Sequence, residues 1–251
     1  MKIISFINQK GGVGKTCSTL NVGAGLSRHN KKVLLIDLDP QGSLTDSLIA
    51  DTRSTNGNIY NFFTDSNQKA KDLIIKFPAG YDLIPSHISA CSLEFILPGK
   101  QEFRILEDKL QSEHKNYDYI LIDCPPGLGA LLINAIIAST DLYLCTTPEP
   151  KSNLGLSNLQ DTISKTRKNF KTTGDISGVI IGQYDARRTL TTSIVKMLKE
   201  SFGKKLFKTY IRRNVDLAEC VLKKQDIFQY SPGSHGAKDF ESLTKEILKH
   251  G

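Results

Sequence analysis

The sequence predicts an α/β fold, a mainly parallel twisted sheet with helices on both faces, and three observations carry that prediction. Short apolar runs alternate along the chain with stretches of helical periodicity, the pattern of strand-helix-strand units. The runs are continuously hydrophobic and rich in β-branched residues, as strands buried on both faces are. Three of them lead directly into glycines or aspartates, at what would be the carboxyl edge of an open sheet, where ligands bind.

The first strand is Lys2–Ile7, a β-branched and aromatic run. Gly11, Gly12 and Gly14 follow, and residues 15–28 are predicted helical through the spacing of Leu20, Gly23, Ala24 and Leu26. Residues 33–37 form the second strand. The stretch from Asp51 to Ala70 is rich in Asn, Ser, Thr and Asp around Ile59, Tyr60, Phe62 and Phe63, and is assigned a short helix and loops on the sheet's rim. Further strands are predicted at 81–84, 118–123, 141–146, 177–183 and 206–210. Helices are predicted near 101–114, 128–138, 153–169, 189–202, 215–222 and 237–249. No linker or internal repeat divides the 251 residues, so a single domain over 1–251 is expected.

With 39% hydrophobic and 24% charged residues the composition is that of a globular protein. Its apolar stretches are broken short of the roughly 18 residues a membrane span needs, so no membrane partner is expected. The chain enters its first strand without a signal segment. Cys17, Cys91, Cys124, Cys145 and Cys220 show neither a metal-ligand pair nor a disulfide rhythm, which predicts a reducing, cytoplasmic setting. Charge is uneven: residues 1–150 carry 14 Lys and Arg against 16 Asp and Glu, while residues 151–251 carry 19 against 10. A basic half suggests a polyanion held by sequence-independent, salt-sensitive phosphate contacts; the plainer reading is a solvated lysine-rich surface.

The chemistry is concentrated between the first strand and the first helix. Ordinary phosphate-binding loops read Gly-x-x-x-x-Gly-Lys-Ser/Thr; here Gly14, Lys15 and Thr16 fit, but the first glycine position is Gln9, and an extra lysine, Lys10, precedes Gly11. The physical requirements of the loop are met all the same. A glycine turn feeding a helix N-terminus points backbone N–H groups of Gly11, Gly12, Val13, Gly14 and the residues after them at an anion, with the helix dipole adding to the field. Lys15 is placed to reach the β and γ phosphates and the Thr16 hydroxyl to ligate Mg²⁺. Asp37 and Asp39 end the second strand two residues apart, on one face, and Asp123 ends the strand 118–123. One acid is needed behind magnesium and another to position an attacking water.

Taken together these residues resemble the deviant Walker A branch of P-loop NTPases, and within it the ParA/Soj partition ATPases. The resemblance spans nearly the whole chain: Gln9–Thr16, Asp37–Gly42, Asp123–Pro126, Tyr184–Arg187, Arg213–Val215 and Tyr230–Ala237. It implies an ATPase that uses ATP and Mg²⁺, in which two subunits sandwich two nucleotides. By the same resemblance Lys10 reaches across to the partner's nucleotide, Asp39 orients the hydrolytic water, Asp37 supports Lys15 and the magnesium shell, and Asp123 holds magnesium through water. It further implies an ATP-dependent homodimer, nucleoid-associated through non-specific double-stranded DNA, and a ParB/Spo0J-like centromere-binding protein that stimulates hydrolysis. Arg187 falls where the family places a DNA-contacting arginine, with Arg188 beside it.

Three departures from the family pattern stand out. Asp216 occupies the position of a second DNA arginine, with Arg212, Arg213, Lys223 and Lys224 nearby to offset it, and Arg213 is grouped with the candidate DNA residues. Arg212 replaces a proline near the adenine, leaving a backbone contact at 212 and the Asn214 amide to read the base. Cys17 replaces a hydroxyl residue, so that its backbone N–H alone serves a phosphate. Two alternatives belong to other branches of the superfamily. A MinD-like membrane-positioning ATPase needs an amphipathic tail beyond the last core helix, whereas Leu243–Gly251 reads as that helix itself. An iron–sulfur electron-transfer ATPase needs paired thiolates across a dimer, for which Cys124 is the one suggestive residue.

Overall fold

In this computed structural model residues 1–51, 55–113, 115–149 and 152–249 are described. The strands are β1 (Lys2–Ile7), β2 (Val33–Asp37), β3 (Ile75–Lys76), β4 (Tyr81–Ile84), β5 (Tyr119–Asp123), β6 (Asp141–Thr146) and β7 (Asp175–Ile181). The helices are α1 (Lys15–Arg28), α2 (Ser43–Asp46), α3 (Ile59–Thr64), α4 (Ala70–Leu73), α5 (Leu93–Lys100), α6 (Ile105–Leu110), α7 (Ala130–Ala138), α8 (Ser152–Phe170), α9 (Thr189–Phe202), α10 (Asp216–Leu222), α11 (Ile227–Tyr230) and α12 (His235–Lys249).

Seven strands form one sheet in the order β3-β4-β2-β5-β1-β6-β7, all pairs parallel except the short β3 edge. The chain starts at β1, moves outward to β2 and β4, returns through β5 to β1's flank and continues through β6 and β7 on the other side. The reversal puts a crevice at the carboxyl end of β1, where open α/β sheets bind ligands.

Alternation along each strand feeds two cores. Ile3, Ile7, Leu34, Ile36, Ile120, Ile122, Leu142 and Leu144 pack with α3 and α5–α9. Their neighbours Ile4, Phe6, Val33, Leu35, Tyr119, Leu121, Tyr143 and Cys145 pack with α1, α11 and α12. Covering on both faces is why the strands read as unbroken apolar runs. In α12 the fully buried Phe240, Leu243 and Ile247 each contribute about 1.5–3 kcal/mol through the apolar surface they remove from water. That helix lies so close to α1 that a Cβ on Gly25 would stand 2.2 Å from Thr244 Oγ1. Among the described residues no helix is long and apolar enough to cross a membrane.

Four expectations are corrected. The helix expected near 101–114 is shorter and begins later, as α6 (Ile105–Leu110), and an unpredicted helix, α5 (Leu93–Lys100), ends just before it. α5 ends in a Schellman motif with Gln101 in the left-handed region (φ 58°), its N–H bonding the Pro98 carbonyl and that of Glu102 the Leu97 carbonyl. The predicted strand 206–210 follows the edge of β7 but forms only an isolated bridge, Val179 to Leu206. Its ladder fails because the N–H groups of Lys208 and Thr209 donate to the Glu246 carboxylate of α12 (both 2.8 Å). β7 begins and ends two residues before its predicted span, and β3, α2, α4, α5 and α11 have no counterpart among the predicted elements. In the Asp51–Ala70 stretch a short helix does appear, α3, capped by the Asn58 side chain; residues 52–54 lie outside the described residues.

Candidate active site

The loop after β1 is tied down at its entry. Buried Asn8 donates from Nδ2 to the Cys145 carbonyl at the end of β6 (2.7 Å), and its Oδ1 accepts the Lys10 N–H (2.9 Å). At the loop's exit Gly14 adopts φ 93°, the left-handed region that glycine enters without a Cβ penalty, and becomes the N-cap of α1. It supplies no side-chain cap. The first-turn N–H groups, which have no partner within a helix, are therefore left to an anion, as expected of Lys15, Thr16 and Cys17.

These residues line a cavity of about 590 Å³ over the carboxyl edge of the sheet. Gly11, Gly12 and Gly14 border it, Asp39 and Gln41 stand in the loop after β2, and Leu217 and Val221 of α10 supply an apolar wall. Lys15 is only 7% exposed, its Nζ 3.4 Å from the Lys10 carbonyl. Cys17 keeps a neutral thiol: burial pushes its pKa up to about 12, and its Sγ accepts from Asn21 Nδ2 at 3.5 Å.

Behind the loop, the Thr16 hydroxyl donates to Asp123 Oδ2 at 2.6 Å, while Asp123 Oδ1 is buried with no hydrogen-bond partner among the described residues. Burial raises the Asp123 carboxyl to about 7, against the pull of the Thr16 bond and the Lys15 charge. Such a pairing of hydroxyl, carboxylate and spare oxygen is what a hard divalent cation takes as ligands, so the residues present fit magnesium. Asp37, register partner of Asp123 on the adjacent strand, is also buried. Its carboxyl is pushed well above the usual range, first by burial and then by Asp123.

The bonds of Asp37 run elsewhere than to Lys15. Its Oδ2 accepts the Thr45 N–H (2.8 Å) and hydroxyl (2.7 Å), and its Oδ1 accepts the Asp39 N–H (3.2 Å). Asp39 itself accepts the Gln41 N–H at 2.9 Å and borders the cavity. Lys10 is turned back on its own chain, its Nζ in an ion pair with Glu149 after β6.

The two residues expected near the adenine do not line this cavity. Arg212 grips Asp239 of α12, Nη2 to Oδ1 at 2.6 Å and backbone N–H to Oδ2 at 2.9 Å. Asn214 Oδ1 accepts the Asp216 N–H at the start of α10 (2.8 Å). Leu217 and Val221, which sequence reasoning missed, stand in their place; the signal available was their i, i+4 spacing in a helix just past Asn214. Cys124 is buried in the core between sheet and helices, a packing position.

The candidate DNA residues come together at another place. The Tyr184–Arg188 segment runs beside Ile211–Arg213 through a parallel bridge, with Tyr184 N–H on the Ile211 carbonyl (3.0 Å) and Arg213 N–H on the Tyr184 carbonyl (3.1 Å). Arg187 forks onto Asp185 through Nε and Nη2, both at 2.9 Å, and Arg188 Nε stands 3.9 Å from the same carboxylate. The hydrogen bonds from Arg187 hold the Asp185 carboxyl down at about 2.

A family model described as an AAA domain matches residues 1–176. The sporulation initiation inhibitor protein Soj of Bacillus subtilis (strain 168) is 36% identical over 252 residues, covering 100% of this chain and 99% of the relative. The chromosome-partitioning ATPase Soj of Treponema pallidum (strain Nichols) is 34% identical over 250 residues, covering 98% and 97%. Among solved structures, cobyrinic acid a,c-diamide synthase from Mycobacterium smegmatis with bound ATP analog and magnesium superposes with a TM-score of 0.86 at 25% identity, over 100% of this chain and 95% of that one.

Proposed function

The chain belongs to the Soj/ParA family of partition ATPases, and on that premise we propose that residues 1–251 act as one ATP-driven switch domain on DNA. ATP binding brings two copies together around two nucleotides, and the pair associates with double-stranded DNA without sequence preference. Hydrolysis, stimulated by a ParB/Spo0J-like protein bound at a centromere, releases the pair from a nucleoid in the cytoplasm.

One observation carries the reading: the uncapped start of α1 lies directly against the Thr16–Asp123 pair, with a buried acceptor on Asp123 left over. That arrangement suits a phosphate chain on one side and a hydrated cation on the other. Magnesium, when bound, offsets the charge that develops on the phosphate oxygens; Thr16 would hold it directly and Asp123 through water. The loop N–H groups from Gly11 to Cys17 bind and orient the phosphates, Lys15 neutralises charge on the outer ones, and Asp39 orients the attacking water. Lys10 serves the partner's nucleotide once it leaves Glu149, so hydrolysis waits on a second subunit. DNA is held by Arg187, Arg188 and Arg213 in the basic half of the chain.

Co-sedimentation with DNA in the presence of ATP, ADP or no nucleotide, at two salt concentrations, tests this. Pelleting that requires ATP and weakens with salt is expected. Equal pelleting in all three conditions, or none in any, overturns the DNA-switch reading.

A further inference from the structure

Asp39 sits in a short loop, and a single buried carboxylate closes that loop at both ends. Asp37 Oδ1 accepts the N–H of Asp39 itself, at the loop's start, while Oδ2 accepts both the N–H and the hydroxyl of Thr45, at its far end (3.2, 2.8 and 2.7 Å). Between these two anchors the chain turns through Gly42 in the left-handed region (φ 67°), whose N–H bonds the Asp39 carbonyl at 2.9 Å. The Asp39 carboxylate is aimed by one further bond, from the Gln41 N–H.

The Thr45 hydroxyl does more than complete this ring. Its one hydrogen goes to Asp37, and its oxygen accepts the Ser86 N–H (2.8 Å) just past β4. Thr45 is fully buried, so neither bond is exchanged with solvent. The hydroxyl therefore fixes the loop against two strand ends at once, β2 through Asp37 and β4 through Ser86. A hydroxyl is the group this position requires, because it must donate to a carboxylate and accept from an amide with the same atom.

We propose that Thr45 is a positioning residue for ATP hydrolysis: through its hydroxyl it holds the Asp39 loop in register with the phosphate cavity. The proposal rests on the reading of Asp39 as the water-orienting acid. Thr45 is fully buried and does not line the phosphate cavity, so its loss should leave ATP affinity alone and lower turnover. Displacing a reacting group by about 1 Å, or removing a supporting hydrogen bond behind it, costs about 10–100-fold in rate.

The test is a graded series, Thr45→Ser, Thr45→Cys and Thr45→Val, in the full chain. Turnover of ATP, binding of a fluorescent ATP analogue and melting temperature are measured for each. Serine keeps both hydrogen bonds and should stay within about threefold of the parent kcat; cysteine, a weak donor, should fall further. Valine, which matches the shape without the hydroxyl, should lose about 10–100-fold in kcat with analogue affinity within about twofold. If the valine variant does not fold, the ratio of cysteine to serine decides. Asp39→Ala run beside them separates the two levels of inference. If Asp39→Ala hydrolyses at the parent rate, the reading of Asp39 fails; if it is inactive while folded Thr45→Val or Thr45→Cys turns over normally, the role of Thr45 fails. A serine variant as slow as the valine one also overturns it.

Discussion

Asp37 and Asp123 stand side by side as register partners at the carboxyl ends of two adjacent parallel strands, and both carboxyls are removed from water. Each is raised from the ordinary aspartate range by burial, Asp123 to about 7. In the unfolded chain an aspartate releases its proton near pH 3.9. Between about pH 4 and pH 7 these two sites thus hold more protons in the folded chain than in the unfolded one, and their contribution to stability falls as pH rises through that window. The nucleotide-free protein should melt at a higher temperature at pH 5 than at pH 7.5. Asp123→Asn, which cannot ionise, should reduce that difference; an undiminished difference between the two pH values in the variant contradicts the assignment.

Lys15 is buried at the mouth of a helix that has no side-chain cap, and its Nζ makes a long contact to the Lys10 carbonyl. Among the described residues no other lysine borders the cavity. Lys15→Ala should therefore abolish binding of ATP at micromolar concentrations, read by fluorescence of a labelled analogue, while the melting temperature of the ligand-free chain changes little. Retained micromolar binding would remove the loop from its role.

Lys10 pairs with Glu149 of its own chain, and both side chains are more than a third exposed. Solvent screening keeps such a pair within about 1 kcal/mol, small enough for a second subunit's phosphates to outcompete. Lys10→Ala should leave ATP binding by the single chain within a few fold and remove ATP-dependent dimerisation. Glu149→Gln should shift dimerisation to lower ATP, by up to about fivefold, the equivalent of that pair energy. Sedimentation velocity across an ATP titration measures both, and an unshifted midpoint for Glu149→Gln would show that the pair does not oppose assembly.

Local pattern decides what is legible in the sequence. β1 and β2 can be read because every residue in them but Lys2 is buried on one face or the other, and the phosphate loop because glycines, lysine and a helix start follow one another directly. Asp37 and Asp123 stand at strand ends as expected, since an open parallel sheet gathers its carboxyl termini at one edge, while Asp39, expected to end the same strand, lies in the loop two residues past β2. What is not legible depends on partners distant in sequence. Glu246 takes the amides of 208 and 209 and prevents a strand, and Asp239 draws Arg212 away from the nucleotide cavity. The break between α5 and α6 depends on Gln101 entering a conformation seldom adopted outside glycine and asparagine, which periodicity does not reveal.

Arg187, to which the proposed function gives a DNA contact, is paired with Asp185. The arginine that should meet phosphate is already forked onto a carboxylate, and Arg188 lies near the same group. A phosphate must then compete with Asp185 for Arg187, which lowers affinity while leaving the arginine able to bind. Asp185→Asn takes away the competing charge and should tighten ATP-dependent DNA binding, with a steeper dependence on salt. Arg187→Glu should weaken binding and flatten the salt dependence, the logarithmic slope falling by about 1 for each phosphate no longer neutralised, with ATP-driven dimerisation unchanged. If Arg187→Glu leaves the slope as it was, phosphate is held elsewhere in the basic half. If Asp185→Asn weakens binding instead, the carboxylate positions Arg187 for DNA rather than competing with it.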